Sequence, residues 1–132
     1  MNPLFHKLFQ QNRYLTNQLN DVLQPFGLFS SQWTIIYCLA QHETMTLTQI
    51  WRYINVEAPT VTRTVNRLEK LGWVRRIEGM DKREKIIALT SKAQQQLPRI
   101  LVEIQAFEAQ MLGSLTEEEQ RQFMRLLQKM KG

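Results

Sequence analysis

Apolar positions along the chain recur mostly at spacings of three, four and seven, and the exceptions cluster in one short stretch. Between Pro3 and Leu23, the side chains of Leu4, Leu8, Leu15, Leu19 and Val22 fall near one face of a 3.6-residue turn, which predicts one long helix. Pro25, Phe26 and Gly27 should end it, because proline cannot continue helical hydrogen bonding and glycine accepts the turn. Ser30 is expected to cap a second helix through Trp33, Ile36, Tyr37 and Ala40. Thr46, with Gln49 three residues later, makes a capping box for a short third helix through Ile50, Trp51 and Ile54. Asn55 and Val56 then form a tight turn, and Pro59 stands in the first turn of the next helix, where its missing N–H costs nothing.

That fourth helix, expected over 57–71, carries Val61, Val65 and Leu68 on one face and Pro59, Arg63, Asn66 and Lys70 on the other, with Thr60, Thr62 and Arg67 beside them. Two helices joined by so short a loop have the form of a helix-turn-helix. Past Gly72 the pattern shortens. Trp73 and Val74 lead into Arg75, Arg76 and Ile77, and after a charged tip the chain returns through Ile86, Ile87, Ala88 and Leu89. The β-branched pair and the glycine and aspartate between the runs predict a β-hairpin over 73–89.

Thr90 can cap a further helix in which Leu97, Ile100, Leu101, Ile104, Phe107 and Met111 keep helical spacing. Pro98 falls inside that pattern, where proline costs on the order of 3 kcal/mol, so a kink near 94–98 or a later start is expected. Gly113 and Ser114 interrupt it. Thr116 and Glu119 then make a second capping box ahead of Phe123, Leu126, Leu127 and Met130. The apolar stripes of 4–22, 97–111 and 123–130 exceed what a lobe of about sixty residues can cover, and two interleaved chains would bury them. The alternative is that these helices fold back on their own lobe.

Charge sharpens the picture at one place. From Arg63 to Lys85 there are eight cations, at positions 63, 67, 70, 75, 76, 82, 83 and 85, against four acids, at 69, 78, 81 and 84, and this excess of four is most of the chain's formal +5. A cationic helix beside a cationic hairpin is a footprint for a polyanion. The 132 residues suffice for one domain core, and the 43% hydrophobic and 22% charged composition is that of an ordinary globular protein. One cysteine, no leader pattern and no apolar run near the roughly 18 residues of a bilayer span lead us to expect a cytoplasmic protein without membrane partners.

The motifs Thr60-Val61-Thr62-Arg63, Val65-Asn66-Arg67-Leu68-Glu69-Lys70-Leu71-Gly72-Trp73-Val74-Arg75-Arg76, Asp81-Lys82-Arg83 and Ala88-Leu89-Thr90 resemble the MarR family of bacterial winged-helix transcription regulators. Gly27-Leu28 and Gln32-Trp33 extend the resemblance upstream, and Leu-Thr six residues after Arg83 is its most specific part. Phe29 departs from it, since the family usually has a small polar residue there. The resemblance implies a mainly α protein with a small β-hairpin wing (α+β). It would be a single domain over 1–132, with a winged-helix DNA-binding lobe at about 28–90 and a helical dimerisation region at 1–25 and 91–132. It further implies a homodimeric repressor on a pseudo-palindromic operator in double-stranded DNA, with the recognition helix in the major groove, the wing in the minor groove, and release by a small aromatic ligand.

Within that frame the candidate DNA contacts are Thr60, Thr62, Arg63, Asn66, Arg67, Lys70, Arg75, Arg76, Asp81, Lys82 and Arg83. Arg63 is suited to guanine and Asn66 to adenine, whereas Lys82, Lys85, Arg75 and Arg76 suit phosphates. Arg83 would enter the minor groove. The resemblance makes Asp81 the acid that fixes the wing by an ion pair, with Arg75 or Arg76 as its partner. A solvated polar face and a protein-interaction module without sequence-specific DNA binding are the competing readings. Cys38, beside Ile35, Ile36 and Leu39, reads as a buried structural thiol, and Trp33, Trp51 and Trp73 as core or interface residues. His6 and His42 stand apart from any metal-ligand spacing, and no glycine-rich phosphate loop, carboxylate pair or partnered nucleophile suggests an enzyme or a cofactor.

Overall fold

Helix α1 runs from Pro3 to Leu23. Asn2 caps it by accepting the Leu4 N–H at 2.8 Å, and Pro3 occupies a first-turn position where no donor is needed. In this computed structural model residues 1–78 and 85–131 are described. One turn of 3-10 helix, Gln24–Phe26, follows α1, and Gly27 then takes a left-handed φ of 71°, a conformation that disfavours any side chain.

Helix α2 spans Ser30–His42, and its start differs from expectation. Ser30 is the first helical residue and not the cap, because Phe29 holds the extended cap position without a polar side chain. Two other groups take over its work. Gln32 Oε1 accepts the Phe29 N–H at 2.9 Å, and Asn20 Oδ1 reaches across from α1 to accept the Ser30 N–H at 2.7 Å. The start of α2 is therefore tied to α1 by a tertiary hydrogen bond.

A three-residue strand β1, Thr44–Thr46, was not foreseen. It leads into α3, Leu47–Ile54, through the expected capping box: Thr46 Oγ1 accepts the Gln49 N–H at 3.1 Å, and Gln49 Oε1 accepts the Thr46 N–H at 2.9 Å. Asn55, in the left-handed region with φ 58°, turns the chain toward α4, Ala58–Lys70. Strands β2, Val74–Glu78, and β3, Lys85–Leu89, form the expected hairpin. It belongs to an antiparallel sheet of order β1-β3-β2, with Met45 opposite Ile87 and Arg76 opposite Ile87 on the other side. Three residues are too few to show a period of two, which is why β1 escapes a reading by pattern.

Thr90 caps α5, Ser91–Met111, by accepting the Ala93 N–H at 3.1 Å. The helix continues through Pro98 and does not start late; the proline only leaves the Gln94 carbonyl without a helical donor. Thr116 and Glu119 form the expected second box ahead of α6, Glu117–Lys129. The core gathers Ile35, Ile36 and Leu39 of α2, Ile50 of α3, the Val61-Val65-Leu68 stripe of α4, the inner sheet face and Ile100 of α5. Cys38 is buried there too, its Sγ donating toward Met45 Sδ at 3.1 Å. Burial pushes its pKa up.

Candidate nucleic-acid interface

With Val61, Val65 and Leu68 almost wholly buried, the orientation of α4 is determined. Arg63, Asn66, Arg67 and Lys70 are exposed along its outer side, and Thr60 and Thr62 are half-buried at its edge. The C-terminus of the helix is secured from a distance: Lys92 of α5 donates to the Leu71 carbonyl at 3.2 Å and lies 5.5 Å from the centre of the Trp73 ring. A cation there favours the negative end of the helix dipole. At the other end Glu57 makes no capping bond, so the first N–H groups are left for an external acceptor.

The polar side chains of α4 are not equally available. Thr62 donates its hydroxyl to the Ala58 carbonyl at 3.0 Å, which uses its only donor and leaves it an acceptor. Arg63 folds one turn back, its Nη2 donating to Thr60 Oγ1 at 3.3 Å. That bond is at the long limit and occupies one of five guanidinium donors, so Arg63 keeps most of its capacity for a base edge or a phosphate.

The two arginines of β2 separate. Residues of a strand alternate between faces, and Val74 and Arg76 share the face whose partners Leu89 and Ile87 are buried. Arg76 therefore lies on the inner side, at its rim, and reaches α4. Its Nε donates to Glu69 Oε1 at 3.3 Å in an ion pair, and its Nη2 donates to Asn66 Oδ1. Arg75 stands exposed on the other face. Among the described residues the acid that pairs with Arg76 is Glu69 of α4; Asp81, the acid expected to hold an arginine of this strand, lies outside them. Glu69 and Asn66 thus hold the Arg76 guanidinium against α4, and the Asn66 amide oxygen is engaged within the chain. An ion pair this exposed contributes at most about 1 kcal/mol to stability, so its main effect is orientation.

Asp81, Lys82 and Arg83 lie outside the described residues. Trp33 and Trp73 are buried, and Trp51 packs against the core with Arg52 over its ring at 5.3 Å, so the tryptophans belong to the framework.

A second feature lies behind the lobe. Val22, Pro25, Phe26, Leu71, Trp73, Lys92, Gln96, Arg99 and Glu103 line an open cleft of about 740 Å³ where α1, the turn after it, the end of α4 and α5 converge. Lys92, Gln96, Arg99 and Glu103 follow at steps of four, three and four, which places them on one face of α5. The same spacing was present in the sequence, but only the tertiary fold sets that face beside Trp73. Among the described residues no group of three or more His, Cys, Asp or Glu side chains is arranged to hold a metal ion, and no helix is long and apolar enough to cross a membrane.

Comparison with known proteins agrees with this arrangement. A family model described as MarR family matches residues 28–85. An uncharacterized HTH-type transcriptional regulator of Bacillus subtilis, YwoH, is 46% identical over 123 residues, covering 93% of this chain and 90% of the relative. AbfR of Staphylococcus epidermidis is 29% identical, with a TM-score of 0.85 over 97% of this chain and 88% of the other; its reduced form has been solved bound to DNA. A mutant MarR from Escherichia coli complexed with operator DNA has the same fold, with a TM-score of 0.90 over 97% of this chain and 93% of that one at 23% identity. The mainly helical fold with its small antiparallel sheet, and the strong likeness to the Bacillus relative over nearly the full length, lead to one conclusion: this chain belongs to the MarR family of transcriptional regulators.

Proposed function

We propose that the protein is a homodimeric, DNA-binding transcriptional repressor of the cytoplasm that recognises a pseudo-palindromic operator through α4 in the major groove and the hairpin in the minor groove. The observation that carries this reading is the outer side of α4. A helix of thirteen residues turns four exposed polar or cationic side chains outward, has no side-chain cap at its N-terminus, and is met from the sheet by Arg76. Thr60, Thr62, Arg63, Asn66, Arg67, Lys70 and Arg75 are its contacts to bases and phosphates, with Arg76 against Asn66; Asp81, Lys82 and Arg83 join them on the strength of the sequence motif. The division of labour is a lobe at about 28–90 and a dimerisation region at 1–25 and 91–132.

Dimerisation is supported by apolar side chains left uncovered within one chain. Leu4, Phe5 and Phe9 of α1 and Phe123, Leu126 and Leu127 of α6 are all exposed. A second copy would cover them and set two recognition helices about 34 Å apart, one turn of duplex.

The test is a titration of purified protein against genomic fragments, its own upstream region included, at two salt concentrations. The expected result is one fragment that survives the higher salt, with a protected site of two symmetric halves. Equal dissociation of all fragments would leave only polyanion affinity and favour a protein-interaction module.

A second reading concerns release. The cleft beside Trp73 offers an aromatic wall and the cations Lys92 and Arg99, a chemistry suited to a small aromatic acid. Occupation would act by favouring a lobe position that no longer matches the operator. Salicylate is a suitable probe: it should quench Trp73 fluorescence and lower operator affinity together, and Arg99→Ala should abolish both effects.

A further inference from the structure

Asn66 would ordinarily be assigned to adenine, because an amide can accept from N6–H and donate to N7 at once. In this chain the amide is already engaged. A guanidinium carries donors only, so the atom that Arg76 Nη2 meets must be the amide oxygen, Oδ1. The amide is planar, and holding its oxygen toward β2 carries the nitrogen to the side away from Arg76. Among the described residues nothing accepts from that nitrogen, and Asn66 is exposed on the outer side of α4. Glu69, one turn further along the same helix, holds the other edge of the guanidinium at 3.3 Å.

We infer that Arg76 is a positioning residue that holds the Asn66 amide nitrogen toward the groove, so that Asn66 only donates, to a purine N7, guanine O6 or thymine O4, and does not make the two-bond pair that singles out adenine. The inference rests on the proposed DNA-binding role of α4 and adds to it which base edge one residue selects and what sets that choice. Bidentate adenine recognition would need the same oxygen turned to the base, and so would break the contact with Arg76. The ion pair with Glu69 then matters through specificity. It keeps Arg76 from turning out to a phosphate and makes the strand an orienting arm for the helix.

The experiment measures affinity for operators carrying each of the four bases, placed symmetrically at each position of the two half-sites, at two salt concentrations. For the wild type, one position per half-site should reject cytosine, which offers no acceptor, without favouring adenine over guanine or thymine. Arg76→Ala should free the amide oxygen and raise the relative affinity for adenine there by roughly tenfold, while leaving the other positions and the salt dependence unchanged. Arg76→Lys should also raise it, because a compact ammonium cannot bridge two acceptors with the fork of a guanidinium. Glu69→Gln should shift the profile the same way by less. In an Asn66→Ala background the Arg76 substitutions should have no further effect on the profile. A uniform loss of affinity with a shallower salt slope would make Arg76 a phosphate contact and overturn the inference, as would an unchanged base profile. A wild type that selects no operator would overturn the DNA-binding reading itself, an outcome distinct from both.

Discussion

Helices α4 and α6 are each thirteen residues long, each follows an ordered turn, and each carries one apolar stripe, yet they end in opposite situations. The stripe of α4 vanishes into the chain's own core, with Val65 and Leu68 both at 0% exposure. That of α6 is open, with Phe123 and Leu126 each 55% exposed, and none of its residues is buried. Amphipathic pattern determines that a helix has a face to bury, and leaves open what covers it. For α4 the cover is intramolecular. For α6 the proposed cover is a second chain, so the two helices should respond differently to the same insult.

The largest difference should come from a buried charge. Val65→Asp is expected to cost about 4 kcal/mol or more, a large part of the stability of an ordinary lobe, and thermal melts should show the loss at every protein concentration. Leu126→Asp should instead leave the lobe folded and dissociate the dimer. Sedimentation is expected to give the monomer mass, with dimer affinity weakened by at least about 2 kcal/mol. An intact dimer for the Leu126 variant would show that α6 is covered in some other way and break the comparison.

Capping offers a gentler version of the same contrast. Thr46→Ala removes a cap on α3, which packs beside α4, and should lower lobe stability by about 1 kcal/mol. Thr116→Ala removes the matching cap on α6 and should appear mainly as a concentration-dependent loss, because the proposed cover of α6 is a second chain. Chemical unfolding at two protein concentrations separates the two.

The smallest effect belongs to Cys38. Burial raises its pKa in the folded chain, so the unfolded chain gives up the thiol proton first, near the ordinary value of 9.0, while the folded one retains it. The contribution is fully present below that pH and is lost as pH rises through the folded value. Stability should therefore fall more steeply above pH 9 in the wild type than in Cys38→Ala, and thiol reagents should label the native protein slowly at neutral pH.

Most of the helices were legible because each has a local stop and start signal. Asn55 turns left-handed where the sequence placed a turn, and Thr46, Thr90 and Thr116 cap where their spacing to later residues suggested. Ser30 was misread because its N–H is satisfied from α1, by Asn20, ten residues away and invisible to any local pattern. Strand β1 was missed for a similar reason: its three residues are a strand only through pairing with Ile86, Ile87 and Ala88.

The cationic surface divides along the same line. That Arg63, Asn66 and Lys70 lie opposite Val61, Val65 and Leu68 follows from the helical repeat alone, since covalent geometry sets 3.6 residues per turn wherever the helix is placed. The sequence could not say which of the adjacent Arg75 and Arg76 faces α4. Val74 and Ile77, the apolar residues that flank them, belong to opposite parities of the strand and give contradictory answers. Only the register with β3, which sets Val74 against Leu89 and Arg76 against Ile87, turns Arg76 inward onto Glu69 and Asn66 and leaves Arg75 outside. Periodicity is a property of one segment and can be read from it; register is a property of two strands that meet across a turn, and it exists only once the chain has folded.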